Sequence, residues 1–144
     1  MAAAGPLPWP GRAVSLTGMH RSRLYGLFID TPRDEAPAAA GFWSAALGVE
    51  ARPVPGEEQF IALAGAHPAL TVDVQAVDDA PRYHVDIETD DVDAETDRLT
   101  GLGAVEVARW LDCHILRAPG GHLLCVVPVH TDPEFFAAHA RTWP

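Results

Sequence analysis

The sequence predicts an α+β protein that uses one strand–helix–three-strand unit twice. The order of strand-like and helix-like segments in the first half of the chain returns in the second half, which indicates an internal repeat. The two helix ends are also similar, since Leu47-Gly48-Val49 corresponds to Leu102-Gly103-Ala104. A single unit leaves one face of its small sheet uncovered, so we expect the two units to pack together.

The first unit begins with a short apolar strand from Arg23, which Thr31-Pro32 ends. A helix follows, with Asp34 and Glu35 in its first turn and Gly48 at its C-terminal end. Three strands are then predicted over the segments ARPVP, QFIALAG and ALTVDVQAV.

The buried face of this helix is predicted from apolar residues at helical spacing. These residues are Ala39, Phe42, Ala46 and Leu47. We expect Phe42 and its neighbour Trp43 to pack in the core.

The second unit repeats the order after a linker at 78–81. Its helix is expected to begin after a cap at Asp90 or Asp91 and to end near Gly103, with Val92, Leu99 and Leu102 as its buried stripe. Three strands follow over VEVARWL, CHILR and HLLCVVPV, and Pro119-Gly120-Gly121 supplies the last hairpin turn. The first strand, RYHVDIET, alternates strictly, with Tyr83, Val85 and Ile87 on one face and His84, Asp86 and Glu88 on the other.

The two ends of the chain differ from the repeat. The N-terminal segment holds three prolines and three glycines without periodicity, which predicts a disordered leader; the alternative is an arm packed on the domain. Met19 is a candidate start of translation. Phe135 and Phe136 are expected to anchor a short C-terminal helix. The predicted organisation is a leader (1–20), a domain (21–130, with modules 21–78 and 79–130) and a tail (131–144).

Composition excludes several classes of function. The net charge is -10 with histidine neutral, which argues against nucleic acid and anionic membranes as partners. The chain contains no lysine, which excludes Schiff-base chemistry and a P-loop. It has no run of about 20 apolar residues that would span a membrane. Its two cysteines, Cys113 and Cys125, form no disulfide framework, and we expect a cytoplasmic protein with free thiols.

The second half resembles a known superfamily at specific residues. They are the segment His84-Val85-Asp86-Ile87, the segment Asp90-Asp91-Val92-Asp93-Ala94, Arg98-Leu99, Leu102-Gly103-Ala104, Trp110, and Arg117 to Gly121 running into Leu124 to Pro128. Phe42-Trp43 and Leu47-Gly48 carry a weaker resemblance in the first half. On these residues the chain resembles the glyoxalase / bleomycin-resistance / extradiol-dioxygenase superfamily, which has the vicinal-oxygen-chelate (VOC) fold, and its glyoxalase-like subgroup in particular.

The resemblance implies two βαβββ modules whose mixed sheets curl around a cavity. In metal-using members, four inward side chains hold a divalent ion that acts as a Lewis acid. The resemblance places Gly26, Asp73, His84 and Cys125 at those positions. Gly26 has no side chain, which breaks the set, so no metal and no other cofactor is expected in the standard site.

Each candidate ligand-binding residue has a plainer alternative. Asp73 is either a pocket wall or a ligand, and a shift of register would turn Gln75 inward instead. Cys125 is either a thiolate ligand or a small buried apolar residue. If the last turn centres on Pro119-Gly120, His114 lies opposite Cys125, and a non-standard site could form from Asp73, His84, His114 and Cys125. Asp86 and Glu88 share a face with His84, and one of them is a candidate to orient its ring or to act as a general base. The plainer alternative is that Glu88 is solvated near the open end. Aromatic stacking on a ligand is expected from Phe28 and Trp110, with Phe60 and Trp43 as further candidates.

Three functions remain open at this point. The first is a small-molecule binder of the drug-sequestering type, with aromatic and acidic residues that favour a cationic ligand. The second is a metal-dependent lyase, isomerase or dioxygenase that uses a non-standard site around His84. The third is a regulatory or protein-interaction module with a vestigial cavity. A homodimer is expected, because members of the superfamily usually complete their pockets by pairing modules across chains.

Overall fold

The structure is a computed structural model that describes residues 18–144. Within these residues the chain forms nine strands and three α-helices. In chain order they are β1 (His20–Pro32), α1 (Ala36–Leu47), β2 (Glu50–Pro53), β3 (Phe60–Ala64), β4 (Thr71–Val77), β5 (Arg82–Thr89), α2 (Val92–Gly101), β6 (Val105–Trp110), β7 (Cys113–Arg117), β8 (Leu123–Pro128), α3 (Pro133–His139) and β9 (Arg141–Trp143).

The internal repeat predicted from the sequence is present. The series β1-α1-β2-β3-β4 is followed by the series β5-α2-β6-β7-β8, so the α+β class and the βαβββ order are confirmed. Contacts divide the described residues into two compact units, which are Leu24–Asp86 (the 24–86 unit) and Ile87–Pro144 together with residues 18–23 (the 87–144 unit).

In the 24–86 unit the strands lie in the order β2-β3-β4-β1. The β1–β4 pair is parallel and the others are antiparallel. A core of buried aliphatic side chains lies between the sheet and α1, and it is built from Ile29, Ala36, Ala40, Leu63 and Val74. The opposite face of the same strands is therefore free to carry polar groups.

The buried face of α1 differs from the prediction. Phe42 is 63% exposed and Leu47 is 47% exposed, so the prediction that they are buried was wrong. The buried residues are Ala36 and Ala40, and Trp43 packs against the same core. The helix begins at Ala36, and positions four and seven residues after its start lie on one face. The small side chains of Ala36 and Ala40 let the helix lie close to the sheet.

Strand β1 is longer than predicted at its N-terminal end. It begins at His20, three residues before Arg23, because its first residues pair with β9, where His20 lies opposite Trp143. The tail therefore forms a strand in addition to the predicted helix. The leader predicted over 1–20 lies outside the described residues except for its last three, of which His20 is buried.

In the 87–144 unit, β8, β7 and β6 form an antiparallel sheet. Asp91 caps α2 by accepting a hydrogen bond from the Ala94 N–H (3.0 Å), as the sequence indicates. The predicted stripe of α2 was wrong at Leu102, which is 68% exposed. Glu95 is fully buried instead, because its carboxylate accepts hydrogen bonds from Arg98 and Ser22.

The tail helix α3 is anchored by Phe136, which is buried. Its cap is Asp132, which accepts hydrogen bonds from the N–H groups of Glu134 and Phe135. Within residues 18–144, no helix combines the length and the apolar character that crossing a membrane requires.

Candidate functional site

The candidate site lies on the face of the 24–86 sheet that points away from α1. His84 in β5 is its central residue. Its Nδ1 lies 2.7 Å from Asp30 Oδ2, and its Nε2 lies 3.3 Å from Asp86 Oδ1. Its ring stacks on Phe28, with centroids 4.9 Å apart and an interplanar angle of 9°. The imidazole is thus held between two carboxylates and an aromatic ring.

Alternation in β5 positions two of these groups. His84 and Asp86 share a face, as the sequence predicts. Phe28 and Asp30 share the corresponding face of β1, while Ile29 between them enters the core beneath α1. The same period-two pattern thus builds a polar face and an apolar face from adjacent residues.

The charges around His84 change its protonation. Burial by itself lowers the pKa of the imidazole, but its hydrogen bonds and charge interactions with Asp30 and Asp86 outweigh burial and raise the pKa to about 9. At neutral pH the ring is therefore an imidazolium, which donates a hydrogen bond from Nδ1 to Asp30 and faces Asp86 with Nε2.

Asp73 in β4 contributes a third carboxyl group to this face. It lies opposite Phe28 in the β1–β4 register and is only 7% exposed. Burial, together with the negative charges of Asp86 and Glu57, raises the pKa of Asp73 to about 6. At neutral pH this carboxyl group is ionised in surroundings that disfavour its charge.

Three carboxylate oxygens of this face lack a hydrogen-bond partner in the described residues. They are Asp30 Oδ1, Asp73 Oδ1 and Asp86 Oδ1. Asp86 Oδ1 has the 3.3 Å contact with His84, but the two groups are not aligned as a hydrogen bond. Buried polar atoms are normally paired, so these oxygens mark a place where a donor group or a cation can bind.

The other positions of this face follow from strand register. Gln75 lies opposite Asp30 of β1 and Phe60 of β3, so Gln75 and Asp73 share the face and neither replaces the other. The Phe60 ring meets the Phe28 ring edge-on at 5.9 Å. We call the set Phe28, Asp30, Phe60, Asp73, Gln75, His84 and Asp86 the polar face.

The four metal-ligand positions that the resemblance implies do not form a complete site here, and Gly26 is the reason. A Cβ at this position would lie 2.8 Å from the Thr71 carbonyl oxygen and 3.0 Å from the Phe28 ring. The backbone and the Phe28 ring thus fill the space that a ligand side chain would need. His84 Nε2 and Asp86 Oδ1 are the atoms of the polar face that could serve as ligands of a divalent ion at another position.

Two of the predicted site residues in the 87–144 unit, His114 and Cys125, were predicted to lie opposite each other, and this register was wrong. Ile115, not His114, is opposite Cys125, and His114 is opposite Val126. The last turn is centred on Gly120, since the N–H of Ala118 donates to the carbonyl of His122 (2.8 Å). Both Gly120 and Gly121 adopt positive φ, which moves the turn beyond the predicted centre.

The side chain of His114 is buried against α2. Its Nδ1 lies 2.8 Å from Thr96 Oγ1, and the residue is 2% exposed. Cys125 is half-buried in β8. Because the two residues are not opposite each other, the four-residue site that required this pairing loses its geometric basis.

Glu88 is fully buried, so the prediction that it is solvated was wrong. Its carboxylate binds Arg23 Nη1 at 2.8 Å, and it accepts hydrogen bonds from the Thr131 hydroxyl (2.5 Å) and the His130 N–H (2.8 Å). Residues 130 and 131 fold back onto it after β8.

Trp110, a predicted stacking residue, is 58% exposed on β6.

Asp30 is the residue of the polar face that sequence reasoning missed. It stands in the apolar segment that became β1, and its neighbour Phe28 was selected for its aromatic ring alone. The sequence pattern could have identified it, because Asp30 lies two positions after Phe28 in a strand and therefore shares its face. Its pairing with His84 required the tertiary structure.

Comparisons with known proteins agree with this architecture. A family model described as "Glyoxalase-like domain" matches residues 26–127. No curated protein sequence matches the chain.

Several solved structures are similar to the chain in fold. A methylmalonyl-CoA epimerase from Mycobacterium tuberculosis is 19% identical over 79% of this chain and 91% of that chain, with a TM-score of 0.49. A variant of the Streptomyces coelicolor methylmalonyl-CoA epimerase in complex with 2-nitronate-propionyl-CoA is 18% identical over 76% of this chain and 98% of that chain, with a TM-score of 0.52. A xylose isomerase-like TIM barrel/4-hydroxyphenylpyruvate dioxygenase fusion protein is 18% identical over 85% of this chain and 22% of that chain, with a TM-score of 0.51. At these identities the likeness concerns the fold.

Proposed function

The chain belongs to the glyoxalase-like domain family of the VOC superfamily, and from that premise we propose that it binds a small organic cation at the polar face. One observation carries the proposal. The carboxyl group of Asp73 is buried, yet its Oδ1 has no hydrogen-bond partner in the described residues. An ammonium, amidinium or similar donor would satisfy this oxygen, and the Phe28 and Phe60 rings beside it would hold the apolar part of the ligand.

The sign of the charge favours a cation over an anion. Three carboxyl groups of the polar face stand against two cations, the imidazolium of His84 and the guanidinium of Arg82, which contacts Asp30 Oδ2 (3.2 Å). Both nitrogens of His84 already face carboxylates, so the ring has no free N–H to offer an anion. The net charge of -10 for the whole chain acts in the same direction.

A divalent metal is the second candidate, and one contact favours it. Asp30 holds Nδ1 of His84, and a carboxylate in that place commonly orients a histidine whose other nitrogen binds a metal. Nε2 and Asp86 Oδ1 would then be two of the ligands, and the ion would supply Lewis-acid chemistry. The standard set fails at Gly26, so this site would have to differ from the superfamily's usual one.

Ligand binding can be tested with two probes of similar shape and opposite charge, benzylammonium and benzoate. We expect benzylammonium to raise the melting temperature of the protein in a concentration-dependent way. Benzoate should have no effect. The shift should disappear in Asp73→Asn and persist in Glu50→Gln, because Glu50 is exposed on β2 of the same unit. Equal shifts with both probes would contradict a site selective for cations. No shift with either probe would contradict the binding site and favour the module with a vestigial cavity.

The metal candidate has its own test. Protein purified without a chelator and without a His tag is analysed by mass spectrometry for bound metals, beside His84→Ala. The organic-cation proposal expects negligible metal in both samples. About one equivalent of metal that is lost in His84→Ala would favour the metal-dependent enzyme instead.

We also propose that the chain forms a homodimer, which light scattering would test.

A further inference from the structure

A cleft separate from the polar face lies in the 24–86 unit, at the C-terminal end of β1 and the start of β5. Its volume is about 360 Å³, which falls in the range of small-ligand sites. It is lined by Ile29, Asp30, Thr31, Trp43, Pro81, Arg82 and Tyr83. Apart from Asp30, none of these residues belongs to the polar face.

The walls of the cleft are suited to a flat ring. Tyr83 is 60% exposed although it stands in a strand, and Trp43 reaches the cleft from α1. The guanidinium of Arg82 is fixed at its edge, because Nε contacts Asp30 Oδ2 (3.2 Å) and Nη1 contacts Asp79 Oδ2 (2.7 Å). A guanidinium bound along its edge keeps its flat faces available for stacking.

One residue that lines the cleft, Asp30, has an acceptor oxygen without a donor. Asp30 is 2% exposed, and its Oδ2 is shared by His84 and Arg82. Its Oδ1 has no hydrogen-bond partner in the part of the chain that the structure describes. A ligand with an N–H group beside its ring would complete this carboxylate.

We propose that this cleft is a second binding site, which takes a planar aromatic ligand bearing an N–H donor group of the amidine or amino-heterocycle type. The ring stacks among Trp43, Tyr83 and Arg82, and the donor group binds Asp30. Two acidic partners already neutralise Arg82, so the cleft has no free cation to attract an anionic ligand.

Benzamidine is a suitable probe because it combines a flat ring with N–H donors. Its binding to the full chain is followed by the NMR signals of backbone amides and of the Trp43 indole N–H. We expect saturable shifts at residues 29–31, at Arg82 and Tyr83, and at the Trp43 indole. Benzoate, which has the same ring and no N–H donor, should leave these signals in place.

A pair of variants separates stacking from general damage to the fold. Tyr83 is exposed, so its replacement should leave the core intact. Tyr83→Ala is expected to weaken benzamidine binding about three- to tenfold through the loss of the ring contact. Tyr83→Phe keeps the ring and should bind as the unchanged protein does. Equal binding by Tyr83→Ala and Tyr83→Phe would overturn the proposal.

The position of the shifts distinguishes this inference from the proposed function. Shifts confined to the amides of Phe60 and Asp73 would place the probe on the polar face and refute the cleft. Shifts at the cleft with unchanged Phe60 and Asp73 signals would support it, whatever the outcome for benzylammonium. Absence of shifts at all of these residues at millimolar benzamidine would also refute it.

Discussion

Asp30 Oδ2 lies 2.7 Å from His84 Nδ1, although the two residues are 54 positions apart in the chain. Both side chains are buried, and Asp86 approaches the other ring nitrogen. The arrangement fixes the orientation of the imidazole and favours its charged form.

His84 should titrate far above an ordinary histidine. Its interactions with the two carboxylates raise its pKa from 6.5 to about 9 despite burial. NMR of the imidazole protons should give this value in the intact protein. In Asp30→Asn the pKa should be lower, because one negative charge is removed. A value near 6.5 in the unchanged protein would contradict the arrangement.

The same shift makes the free energy of unfolding depend on pH. Since the folded-state pKa lies above the unfolded value, the contribution of His84 is complete below about pH 6.5 and is lost as the pH rises through about 9. Urea unfolding of the unchanged protein and of His84→Gln, compared at several pH values, isolates this contribution. The difference between the two proteins should shrink with rising pH.

Asp73→Asn should stabilise the protein at pH 8. The folded-state pKa of about 6 exceeds the ordinary 3.8, so the ionised carboxyl group destabilises the folded state above that range. Removing its charge should raise the free energy of unfolding by about 1–3 kcal/mol. The gain should fade as the pH is lowered from about 6 to about 4, and urea unfolding at pH 8 and pH 4 measures it. Destabilisation at pH 8 would mean that the carboxylate has a partner.

Gly26→Ala should destabilise the protein through crowding. The added Cβ would lie 2.8 Å from the Thr71 carbonyl oxygen, part of the rigid β1–β4 pair. We expect a loss of about 1–3 kcal/mol in urea unfolding. Gly41→Ala is the matched control, since nothing lies within 4 Å of a Cβ there, and alanine in an exposed helix should stabilise by up to about 1 kcal/mol. Equal effects of the two substitutions would rule out the steric explanation.

Glu88 is expected to support the fold and not to contact a ligand. Glu88→Ala would leave the buried Arg23 guanidinium without its carboxylate, which typically costs about 3–5 kcal/mol. Thermal unfolding measures the loss, and Glu88→Gln, which keeps one acceptor oxygen for the surrounding donors, should lose less. Glu50→Ala removes an exposed pair with Arg52 and should unfold as the unchanged protein does. If Glu88→Ala melted normally but failed to bind benzylammonium, Glu88 would belong to the site.

Local patterns predicted the fold because they are strong in this chain. Period-two alternation identified β5 and placed His84 and Asp86 on one face. Capping residues and glycines located the ends of both long helices, and Gly48 adopts the left-handed conformation expected at a helix end. These features depend on neighbours in sequence, so no knowledge of long-range contacts was needed.

The predictions that the structure contradicts, on helix burial and strand register, have a common cause. The buried faces of α1 and α2 were predicted from apolar residues alone, but α1 approaches the sheet through Ala36 and Ala40. In α2 the buried Glu95 is stabilised by partners such as Ser22 in β1. The register error at His114 arose because the last turn is centred on Gly120, where both Gly120 and Gly121 adopt positive φ. In each case a contact or a backbone angle outside the pattern decided the result.

The order of elements could be predicted from the sequence, because hydrophobic periodicity and turn chemistry are local properties. The family and the candidate residue His84 came from the resemblance of the second half to a known superfamily. The surroundings of that histidine depend on contacts between distant parts of the chain. The fold brought Asp30 and Phe28 in β1 to His84 and placed Asp73 of β4 opposite Phe28, and it filled the space at Gly26 with the Phe28 ring. The chemistry of the polar face depends on these distances, because hydrogen bonds and charge interactions act only between groups that the fold has placed within a few ångströms.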